Sequence, residues 1–351
     1  MDTTDKIVLV TGGCGFVGRH LVLNLIEEND EVWILDNLFT GKHPDNWLVG
    51  FEKEEKDGLA VYSKDSKKII FINQDAIDFF RDQTGDDPII ILPHFDEVYH
   101  LAAIVGGRAV LIEQNPILVA TNQIIDALFF QWTVKNRESI NRVLYVSTSV
   151  AYPKIMQDKG KHVAMKESFL DLLGGDSIGF PESIYGWIKL AWEYLAVTAA
   201  KKYGLSVACI RPFSGYGGDQ NLSYPIPSIA LRAAQRESPL TVWGSGNQGR
   251  DFIYVDDFVS GIRVAIKNIS DGSAVNIGMG ELVTFKEVAR IMAELEGYTP
   301  EIVGLTDKIE GSFAVYADNS MLKSFSWSPK YSIRDGFKEV LRKVKLGIIQ
   351  S

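Results

Sequence analysis

Tyr185 and Lys189, two side chains that can take part in proton transfer, stand four residues apart in the segment ESIYGWIKLAWEYLA. On a helix this spacing places both on one face. A neighbouring ammonium group favours the phenolate form of a tyrosine, so the pair can act as a general base toward a hydroxyl group. An amphipathic helix with a core tyrosine and a surface lysine has the same pattern, so further residues must support the catalytic interpretation.

Three consecutive hydroxyl residues provide this support. The apolar run RVLYVS predicts a buried strand, and Ser147, Thr148 and Ser149 emerge at its carboxyl end, where parallel sheets bind their ligands. Thr148 can hydrogen-bond the substrate oxygen that Tyr185 deprotonates. Hydroxyl groups without an adjacent carboxylate or thiol suit hydride transfer, in which an alcohol oxygen is positioned while its carbon is oxidised. The pattern therefore predicts alcohol oxidation with a nicotinamide cofactor.

A glycine-rich turn indicates where that cofactor binds. The segment VTGGCGFVGRHLV follows one predicted strand and opens a helix, so Gly12, Gly15 and Gly18 let a pyrophosphate approach the backbone. The second predicted strand ends at Asp36, eighteen residues after Gly18. A carboxylate at this position accepts hydrogen bonds from the ribose hydroxyls and repels a 2′-phosphate, which predicts NAD rather than NADP. The alternative is that Asp36 is a turn residue. Asp75, after the third strand, is a candidate partner for the adenine amino group.

Short β-branched runs alternate with helix-length segments, a pattern that predicts βαβ units and a mostly parallel sheet. From about residue 174, Gly and Pro clusters are typical of loops that close over a cleft. We therefore predict an α/β fold, with a Rossmann doubly wound parallel sheet and a smaller C-terminal α/β substrate-binding domain. The predicted strands are 6–12, 31–36, 69–73, 97–102, 142–147 and 206–211.

Composition argues against several other classes of protein. The net charge of −9 and the lack of a basic tract disfavour nucleic acid as a partner. Two cysteines are too few for a disulfide framework or a zinc site, and the five histidines lack ligand spacing, so no metal is predicted. No stretch reaches the roughly 18 apolar residues of a membrane span. The amino-terminal MDTTDKIVLV has no signal-peptide pattern. We expect a cytoplasmic protein that does not bind a membrane.

Seven motifs occur in the order seen in the extended short-chain dehydrogenase/reductases. They are TGGCGFVG, DNL, YHLAA, STSVAYP, YGWIK, RPFSGYG and GRDFIYVDD. On these motifs the chain resembles the NAD-dependent nucleotide-sugar epimerase/dehydratase family over nearly its whole length. The resemblance implies NAD as cofactor, a nucleotide-diphosphate sugar as substrate, and a homodimer formed through helices at about 117–135 and 183–202.

Domain limits follow from the same resemblance. Residues 1–174 are predicted to form the NAD-binding Rossmann domain, to which segments near 207–215 and 250–270 return. Residues 175–351 are predicted to form mainly the nucleotide-sugar-binding domain. The charged, weakly periodic stretch 41–68 is predicted to be a surface insertion.

The resemblance also implies individual roles for residues of the cofactor and catalytic sites. Thr148 stands where the family has its catalytic Ser or Thr, beside Tyr185 and Lys189. The residues implied to bind the cofactor, besides Tyr185 and Lys189, are Gly12, Gly15, Phe16, Val17, Gly18, Asp36, Asn37, Asp75, Ala76, Leu101, Ala102, Ala103 and Asn122.

The substrate site is implied less directly. Arg250 matches an arginine that contacts the nucleotide phosphates, although a surface ion pair with Asp251 or Asp256 is the alternative. Lys308 falls near a second diphosphate-binding arginine of the family, and Ser214 stands where the family often has Asn. Trp243 either lines the nucleotide pocket or belongs to the core, and Arg108 either binds the sugar or caps a helix. The implied substrate-binding residues are Gly106, Gly107, Arg108, Ser149, Ser214, Trp243, Arg250 and Lys308.

Missing residues narrow the choice of reaction. The 4,6-dehydratases carry an Asp-Glu pair after the catalytic Thr, where this chain has Ser149 and Val150, and the uronate decarboxylases carry a Glu that is also missing. GDP-mannose 3,5-epimerases and GDP-fucose synthases use a cysteine at the place of Val150, and the former have a Lys near Pro225. Redox at a hydroxyl remains, so we predict a 4-epimerase that oxidises the sugar to a 4-keto form and returns the hydride.

Other interpretations stay open at this stage. An NAD(H)-dependent nucleotide-sugar 4-dehydrogenase or ketoreductase would use the same residues, and a 3,5-epimerase is disfavoured by Val150. A non-catalytic NAD-binding regulator typically loses the Tyr or the Lys, and both are present. The nucleotide is open as well: the VGG segment suggests GDP by resemblance, and UDP or CDP are alternatives.

Overall fold

The structure is a computed structural model of the 351-residue chain. It describes residues 6–105, 116–158, 162–170, 179–181, 183–308 and 310–347.

The described residues form short strands and helices in alternation through the first two thirds of the chain. The strands are β1 (Ile7–Thr11), β2 (Glu31–Asp36), β3 (Glu52–Lys56), β4 (Leu59–Lys64), β5 (Lys67–Asn73), β6 (Phe95–His100), β7 (Ile140–Val146), β8 (Val207–Pro212), β9 (Ser214–Tyr216), β10 (Leu240–Trp243), β11 (Gly249–Arg250), β12 (Phe252–Tyr254), β13 (Asp271–Ile277), β14 (Val283–Thr284), β15 (Ile302–Leu305) and β16 (Ala314–Val315). The helices are α1 (Phe16–Glu28), α2 (Ala76–Thr84), α3 (Pro116–Lys135), α4 (Ile184–Tyr203), α5 (Pro225–Ala234), α6 (Val255–Asn268), α7 (Phe285–Leu295), α8 (Ser320–Ser324) and α9 (Ile333–Lys345).

Among the described residues, nine strands form one sheet in the order β13-β8-β7-β6-β1-β2-β5-β4-β3. The strands from β13 to β5 are parallel to one another. The order reverses direction between β1 and β6, and such a switch point opens a crevice at the carboxyl ends of the strands. The predicted Rossmann fold class is confirmed, and all six predicted strands are present.

The 41–68 insertion is more ordered than its charged sequence suggests. Its second half forms the hairpin β3–β4, which pairs antiparallel with β5 and extends the sheet. All five residues of β3 are exposed. The strand reads EKEEK, and charges on an edge strand protect the edge from pairing with another chain.

Helices cover both faces of the sheet. On one face, α1 packs against β1 and β2, and α6 packs against β7, β8 and β13, with Leu21, Phe258 and Ile262 in their shared core. On the other, α2, α3 and α4 pack through Phe79, Phe129 and their neighbours. The result is a three-layer arrangement in which the strands are buried on both sides, and this accounts for their nearly continuous apolar sequences.

The C-terminal part has a core of its own. Helices α5, α7 and α9 pack together through Ile229, Met292 and Phe337, next to the small parallel pair β10–β15. Two elements from the C-terminal half are associated with the large sheet instead. Strand β13, which follows the predicted returning segment 250–270, pairs with β8. Helix α4 packs against both of these strands. The large sheet therefore takes more of residues 175–351 than the predicted division assigns to it.

Helix α3 is long and apolar enough to cross a membrane by length and composition, with a mean hydropathy of 1.2. The core helices of soluble proteins pass the same test. Here α3 packs against α2 and α4 and buries Phe129, Trp132 and the charged Asp126. This packing accounts for part of its apolar sequence, since 44 % of the hydrophobic window is buried.

Candidate active site

A cavity of about 1480 Å³ lies at the switch point of the sheet. The large sheet contributes the turn after β1, the loop after β6 and the first turns of α4. The C-terminal part contributes Tyr224 at the start of α5 and Trp243 at the end of β10. Ligands of open α/β sheets bind in such a crevice, so the cavity is the candidate active site.

The glycine-rich turn needs glycine for two physical reasons. Gly12 has a φ of +70°, and a Cβ atom there would lie 2.8 Å from the Ala102 amide nitrogen. A Cβ atom on Gly18 would lie 2.1 Å from the Gly12 carbonyl oxygen. Gly15 caps α1 without a side chain, so the first amides of the helix are left for a ligand. Gly12, Gly15, Phe16, Val17 and Gly18 all line the cavity, as predicted.

Asp36 is held rigidly at the end of β2. Its Oδ2 accepts the amide of Cys14 at 2.9 Å, and its Oδ1 accepts the amide of Leu38 at 2.8 Å. Burial raises the pKa of Asp36 above its usual range, and these amide hydrogen bonds partly oppose the rise. Both oxygens keep a second acceptor site, which suits the two hydroxyls of a ribose.

Asn37 and Asp75 form a second polar group at the same end of the cavity. Asn37 Nδ2 donates to Asp75 Oδ2 at 2.8 Å, and Asp75 Oδ1 accepts the Ile77 amide as the cap of α2. Both residues and Ala76 line the cavity. Asp75 thus lines the cavity, where it was predicted to contact the adenine amino group, and that contact stays a prediction. Asp75 also caps α2.

The loop after β6 forms another part of the cavity wall. Leu101, Ala102 and Ala103 line the cavity. Asn122 is 3 % exposed, and its amide group bonds both the amide and the carbonyl of Ile104, at 2.7 and 2.9 Å. Asn122 therefore holds this loop in place, and the nearby cavity wall is formed by its neighbour Thr121.

Tyr185 and Lys189 lie on the first turns of α4, whose start is capped by Ser183. Both line the cavity and both are buried, at 8 % and 3 % exposed. Lys189 Nζ lies 3.0 Å from Asp126 Oδ2 on α3. Burial raises the pKa of Tyr185, while Lys189 lowers it and Asp126 raises it further. The helical prediction is confirmed, and the structure adds a carboxylate partner for the lysine.

The three hydroxyl residues after β7 have different environments. Ser147 is buried and donates to Glu193, which also binds Arg211. Thr148 is 9 % exposed and accepts the Val150 amide at 3.3 Å as the cap of a short 3-10 helix, Ser149–Ala151. Neither Thr148 nor Ser149 lines the cavity itself, and their predicted contacts with substrate stay predictions.

Gly186 brings these hydroxyls close to the tyrosine. A Cβ atom on Gly186 would lie 2.2 Å from the Val150 carbonyl oxygen. The first turn of α4 therefore packs directly on the 3-10 helix that Thr148 caps, with no side chain between them. This contact fixes the segment that Thr148 caps against the helical turn that carries Tyr185.

The predicted substrate residues are only partly assembled in the cavity. Ser214, Trp243 and Arg250 line it, and Trp243 is 57 % exposed, so it is a wall residue rather than a core residue. Arg250 donates to the Gly249 and Ser312 carbonyls, so the ion-pair alternative with Asp251 or Asp256 is not what holds it. Lys308 lies outside the lining and is 3.8 Å from Asp307. Gly106, Gly107 and Arg108 lie outside the described residues.

Sequence reasoning missed two features of this cavity. Tyr224 lines it near Tyr185, and burial together with Tyr185 raises the pKa of Tyr224. At the pyrophosphate end, Arg19 and His20 both bind Asp219, each at 2.9 Å. His20 also lies 3.5 Å from Asp256 on α6. The sequence carries no signal for these pairs, because Asp219 is about 200 residues from its partners.

NAD fits the residues that are present. The glycine cradle, the start of α1 and the fixed carboxylate of Asp36 line one cavity of about 1480 Å³, large enough for a dinucleotide and a second ligand. Tyr185 and Lys189 line the same cavity. The nicotinamide half would therefore meet the candidate base.

Comparison with known proteins agrees with this geometry. The sequence profile of the NAD dependent epimerase/dehydratase family matches residues 8–278. UDP-glucuronic acid decarboxylase 1 of Xenopus tropicalis is 28 % identical over 96 % of this chain and 71 % of its own. The UDP-N-acetylglucosamine 4-epimerase of Methanobrevibacter ruminantium, solved with UDP-N-acetylmuramic acid, is 26 % identical, with a TM-score of 0.74 and 99 % of both chains covered. UDP-glucose 4-epimerase of Thermotoga maritima, solved with UDP-glucose, shares the fold at 24 % identity, with a TM-score of 0.77, 97 % of this chain and 99 % of its own.

Proposed function

The chain belongs to the NAD dependent epimerase/dehydratase family, and from the residues assembled in its cavity we propose that it epimerises a nucleotide-diphosphate sugar at carbon 4. The main support for the proposal is that Tyr185 and Lys189, the candidate catalytic pair, line the same cavity as the candidate NAD-binding residues of the Gly12 turn and Asp36. Bound NAD supplies a reversible hydride acceptor at that place. The relatives named above act on or bind UDP-linked compounds, so UDP-sugars replace the GDP-sugars suggested by the VGG segment as the first substrates to test.

The residues of the chain account for the proton transfers. Tyr185 takes the proton of the sugar hydroxyl as that carbon becomes a ketone, and it returns the proton when the ketone is reduced. Thr148 hydrogen-bonds the same oxygen, and Arg250 with Ser214 faces the phosphates. Oxidation and reduction at one carbon cancel, so the reaction needs no added reductant.

Dehydration and decarboxylation are less well supported by the cavity. Both reactions use a carboxylate close to the catalytic tyrosine in the proteins that this chain resembles. Among the described residues that line the cavity, the carboxylates are Asp36, Asp75, Asp219 and Glu310. Each is already bonded: the first two at the adenosine end, Asp219 to Arg19, and Glu310 to Ser245.

The test is a panel of UDP-, GDP-, CDP- and ADP-sugars incubated in heavy water without added NADH and followed by NMR. We expect inversion at carbon 4 with no carbon-bound deuterium, because the hydrogen at that carbon never exchanges with solvent. Deuterium at carbon 3 or 5 would contradict the proposal and indicate enolisation. A requirement for stoichiometric NAD or NADH would instead identify a dehydrogenase or ketoreductase.

Tyr185→Phe tests the assignment of the base. The variant keeps the packing of the ring and loses the phenol, so turnover should fall by at least about 100-fold, the usual contribution of general base catalysis. NAD affinity should stay within about twofold of the wild-type value, since a twofold change is only about 0.4 kcal/mol. Tyr203→Phe, at a 51 % exposed tyrosine at the other end of the same helix, is the matched control. Wild-type turnover in Tyr185→Phe would show that another group is the base.

We also propose a homodimer formed through α3 and α4. The large apolar side chains that are exposed on these adjacent helices include Ile117, Ile124, Trp187, Tyr194 and Leu195. Leu195→Glu should therefore yield monomers in light scattering, whereas Leu23→Glu, at an exposed leucine of α1, should leave the dimer intact. A wild-type protein that is monomeric at micromolar concentration would refute this proposal.

A further inference from the structure

The carboxylate of Asp126 lies at the centre of a buried polar network beneath the candidate active site. It is 1 % exposed. Lys189 Nζ donates to both of its oxygens, at 3.0 and 3.3 Å, and Tyr145 donates its hydroxyl to Oδ2 at 2.8 Å. His100 Nε2 lies 3.3 Å from Oδ1. The ring of Tyr145 packs under the ammonium group of Lys189 at 4.7 Å.

The network continues from Asp126 to the loop after β6, which lines the cavity. A carboxylate only accepts hydrogen bonds, so His100 Nε2 carries a proton toward Asp126 and leaves Nδ1 as an acceptor. Nδ1 lies 2.9 Å from Thr11 Oγ1, which in turn accepts the amide of Ala102 at 3.2 Å. His100 is stacked on Phe129 at 3.8 Å, so its ring cannot turn away. Asp126 therefore links Lys189 to the backbone of the loop.

Nearly all other titratable groups that face this network are uncharged. Burial lowers the pKa of His100 from β6, and it raises the pKa of Tyr145 from β7 and of Cys209 from β8 well above their usual values. Burial also raises the pKa of Tyr224, which faces Tyr185 from the start of α5. All four are neutral near pH 7.

The remaining charges form pairs. One turn beyond Lys189 on α4, Glu193 is neutralised by Arg211 at 2.7 Å. Among the described residues, Asp126 and Lys189 remain as the charges that act on Tyr185. Burial alone would lower the pKa of Lys189, but Asp126 and Tyr185 together outweigh burial and raise it. Lys189 is thus held as an ammonium group. The negative charge of Asp126 opposes the electrostatic effect of this ammonium group on Tyr185.

We propose that Asp126 is a positioning residue, which fixes the Lys189 ammonium beside Tyr185 and cancels part of its charge there, so that it sets the pH range in which Tyr185 acts as a base. This inference rests on the proposed function to the extent that Tyr185 is taken as the base. A buried pair of this kind is weak evidence of stability, because the cost of removing two charges from water offsets their attraction. Its effect on the neighbouring tyrosine gives it a role beyond stability.

The sign of the effect follows from the charges. Asp126→Asn keeps an oxygen that can accept from Lys189 and removes the opposing negative charge. Lys189 loses one of the two groups that offset its burial but keeps the other, Tyr185, whose negative form also raises the pKa of the lysine. The ammonium then acts on Tyr185 alone, and the pKa of Tyr185 should fall by about one pH unit, a shift typical of removing a nearby like charge. The acidic limb of log kcat/KM should move to lower pH by the same amount, so that activity below the limb rises about tenfold relative to the plateau.

The decisive measurement does not depend on turnover. The phenolate of Tyr185 is titrated by ultraviolet difference spectroscopy, with each protein compared with the same protein carrying Tyr185→Phe. An acidic shift in Asp126→Asn supports the inference even if no nucleotide sugar is epimerised, so failure of the proposed function and failure of this inference are distinguishable. A phenolate pKa within about 0.3 units of wild type, or one that rises, overturns it, since about 0.3 units is only about 0.4 kcal/mol.

Two further variants separate charge from packing. Asp126→Glu keeps the negative charge and should retain the wild-type titration. Tyr145→Phe removes a neutral donor from the same carboxylate, so more negative charge faces Lys189 and the pKa of Tyr185 should stay or rise. If Tyr145→Phe produces the same acidic shift as Asp126→Asn, loosened packing is the cause and the inference is wrong. This variant also tests the inference should Asp126→Asn fail to fold.

Discussion

Replacing Asp36 by asparagine should reduce the preference of the protein for NAD over NADP. Two unit charges about 4 Å apart interact by about 1 kcal/mol in water and by about 4 kcal/mol at an effective dielectric constant of about 20. Asp36 cannot turn away from a 2′-phosphate, because the amides of Cys14 and Leu38 hold both of its oxygens. Lys42 lines the same cavity and offers a positive charge, so we take a penalty well below the upper limit of this range.

A penalty of about 1.4–2.8 kcal/mol corresponds to NADP binding about 10- to 100-fold more weakly than NAD. Isothermal titration with both dinucleotides measures this ratio in the wild type and in Asp36→Asn. The variant should bring the ratio to within about threefold, because an amide removes the repulsion at a cost of well under about 1 kcal/mol in the ratio. Asp75→Asn is the matched control, since it removes the same charge from the same cavity and should leave the ratio unchanged. Equal affinity in the wild type, or a ratio that Asp36→Asn does not alter, would show that this carboxylate does not meet the ribose.

Two other substitutions test the geometry of the site and its connection to the C-terminal part. Gly186→Ala would push the start of α4 away from the Val150 carbonyl, which a Cβ atom would approach to 2.2 Å, and a displacement of about 1 Å at a reacting group costs on the order of 100-fold in kcat. Gly204→Ala, at the end of the same helix where a Cβ atom meets nothing within 4 Å, should lower stability only, so equal kcat in the two variants would contradict this account. His20 lies between Asp219 and Asp256, and although burial opposes protonation, these carboxylates raise its pKa above the usual value of 6.5. Its contribution to stability is therefore fully present below pH 6.5 and is lost as the pH rises through the folded-state pKa, so the loss of unfolding free energy in His20→Gln should be larger at pH 6 than at pH 9 in urea titrations. A loss that is the same at both pH values would mean that the fold does not raise the pKa of His20.

Local patterns in the sequence were enough to predict most of the sheet and much of the cofactor end. Each parallel strand is buried on both faces, so its sequence is a nearly continuous apolar run. Such a run can be recognised without knowing which strands pair with it. The turn from Gly12 to Gly18 requires a positive φ at Gly12 and close backbone contact at Gly18. Glycine meets both requirements, so glycines recur there at a fixed spacing. Tyr185 and Lys189 are joined by helical geometry alone. In all these cases the recognisable pattern lies within a few residues of the chain, even where the contact that requires it is distant, as between Gly12 and Ala102.

The edge hairpin and the seventh parallel strand were harder to predict. The exposed strand β3 reads EKEEK, which has no alternation of apolar residues, because an edge strand without a covering layer buries neither face. Strand β13 reads DGSAVNI, and it joins β8 only after α6 has returned the chain to the sheet. Its place depends on pairing with a strand about 60 residues earlier.

The sequence by itself therefore determined the Rossmann sheet, the glycine turn, Asp36 and the Tyr185–Lys189 face, since spacing along the chain is sufficient to specify each of them. Tertiary structure alone decided that Lys189 pairs with Asp126, 63 residues away on another helix. It also decided that Ser147 binds Glu193 instead of facing the cavity. The physical reason is that the charge of a buried group depends on what the fold places against it, and a buried charge must find its partner wherever in the chain that partner lies.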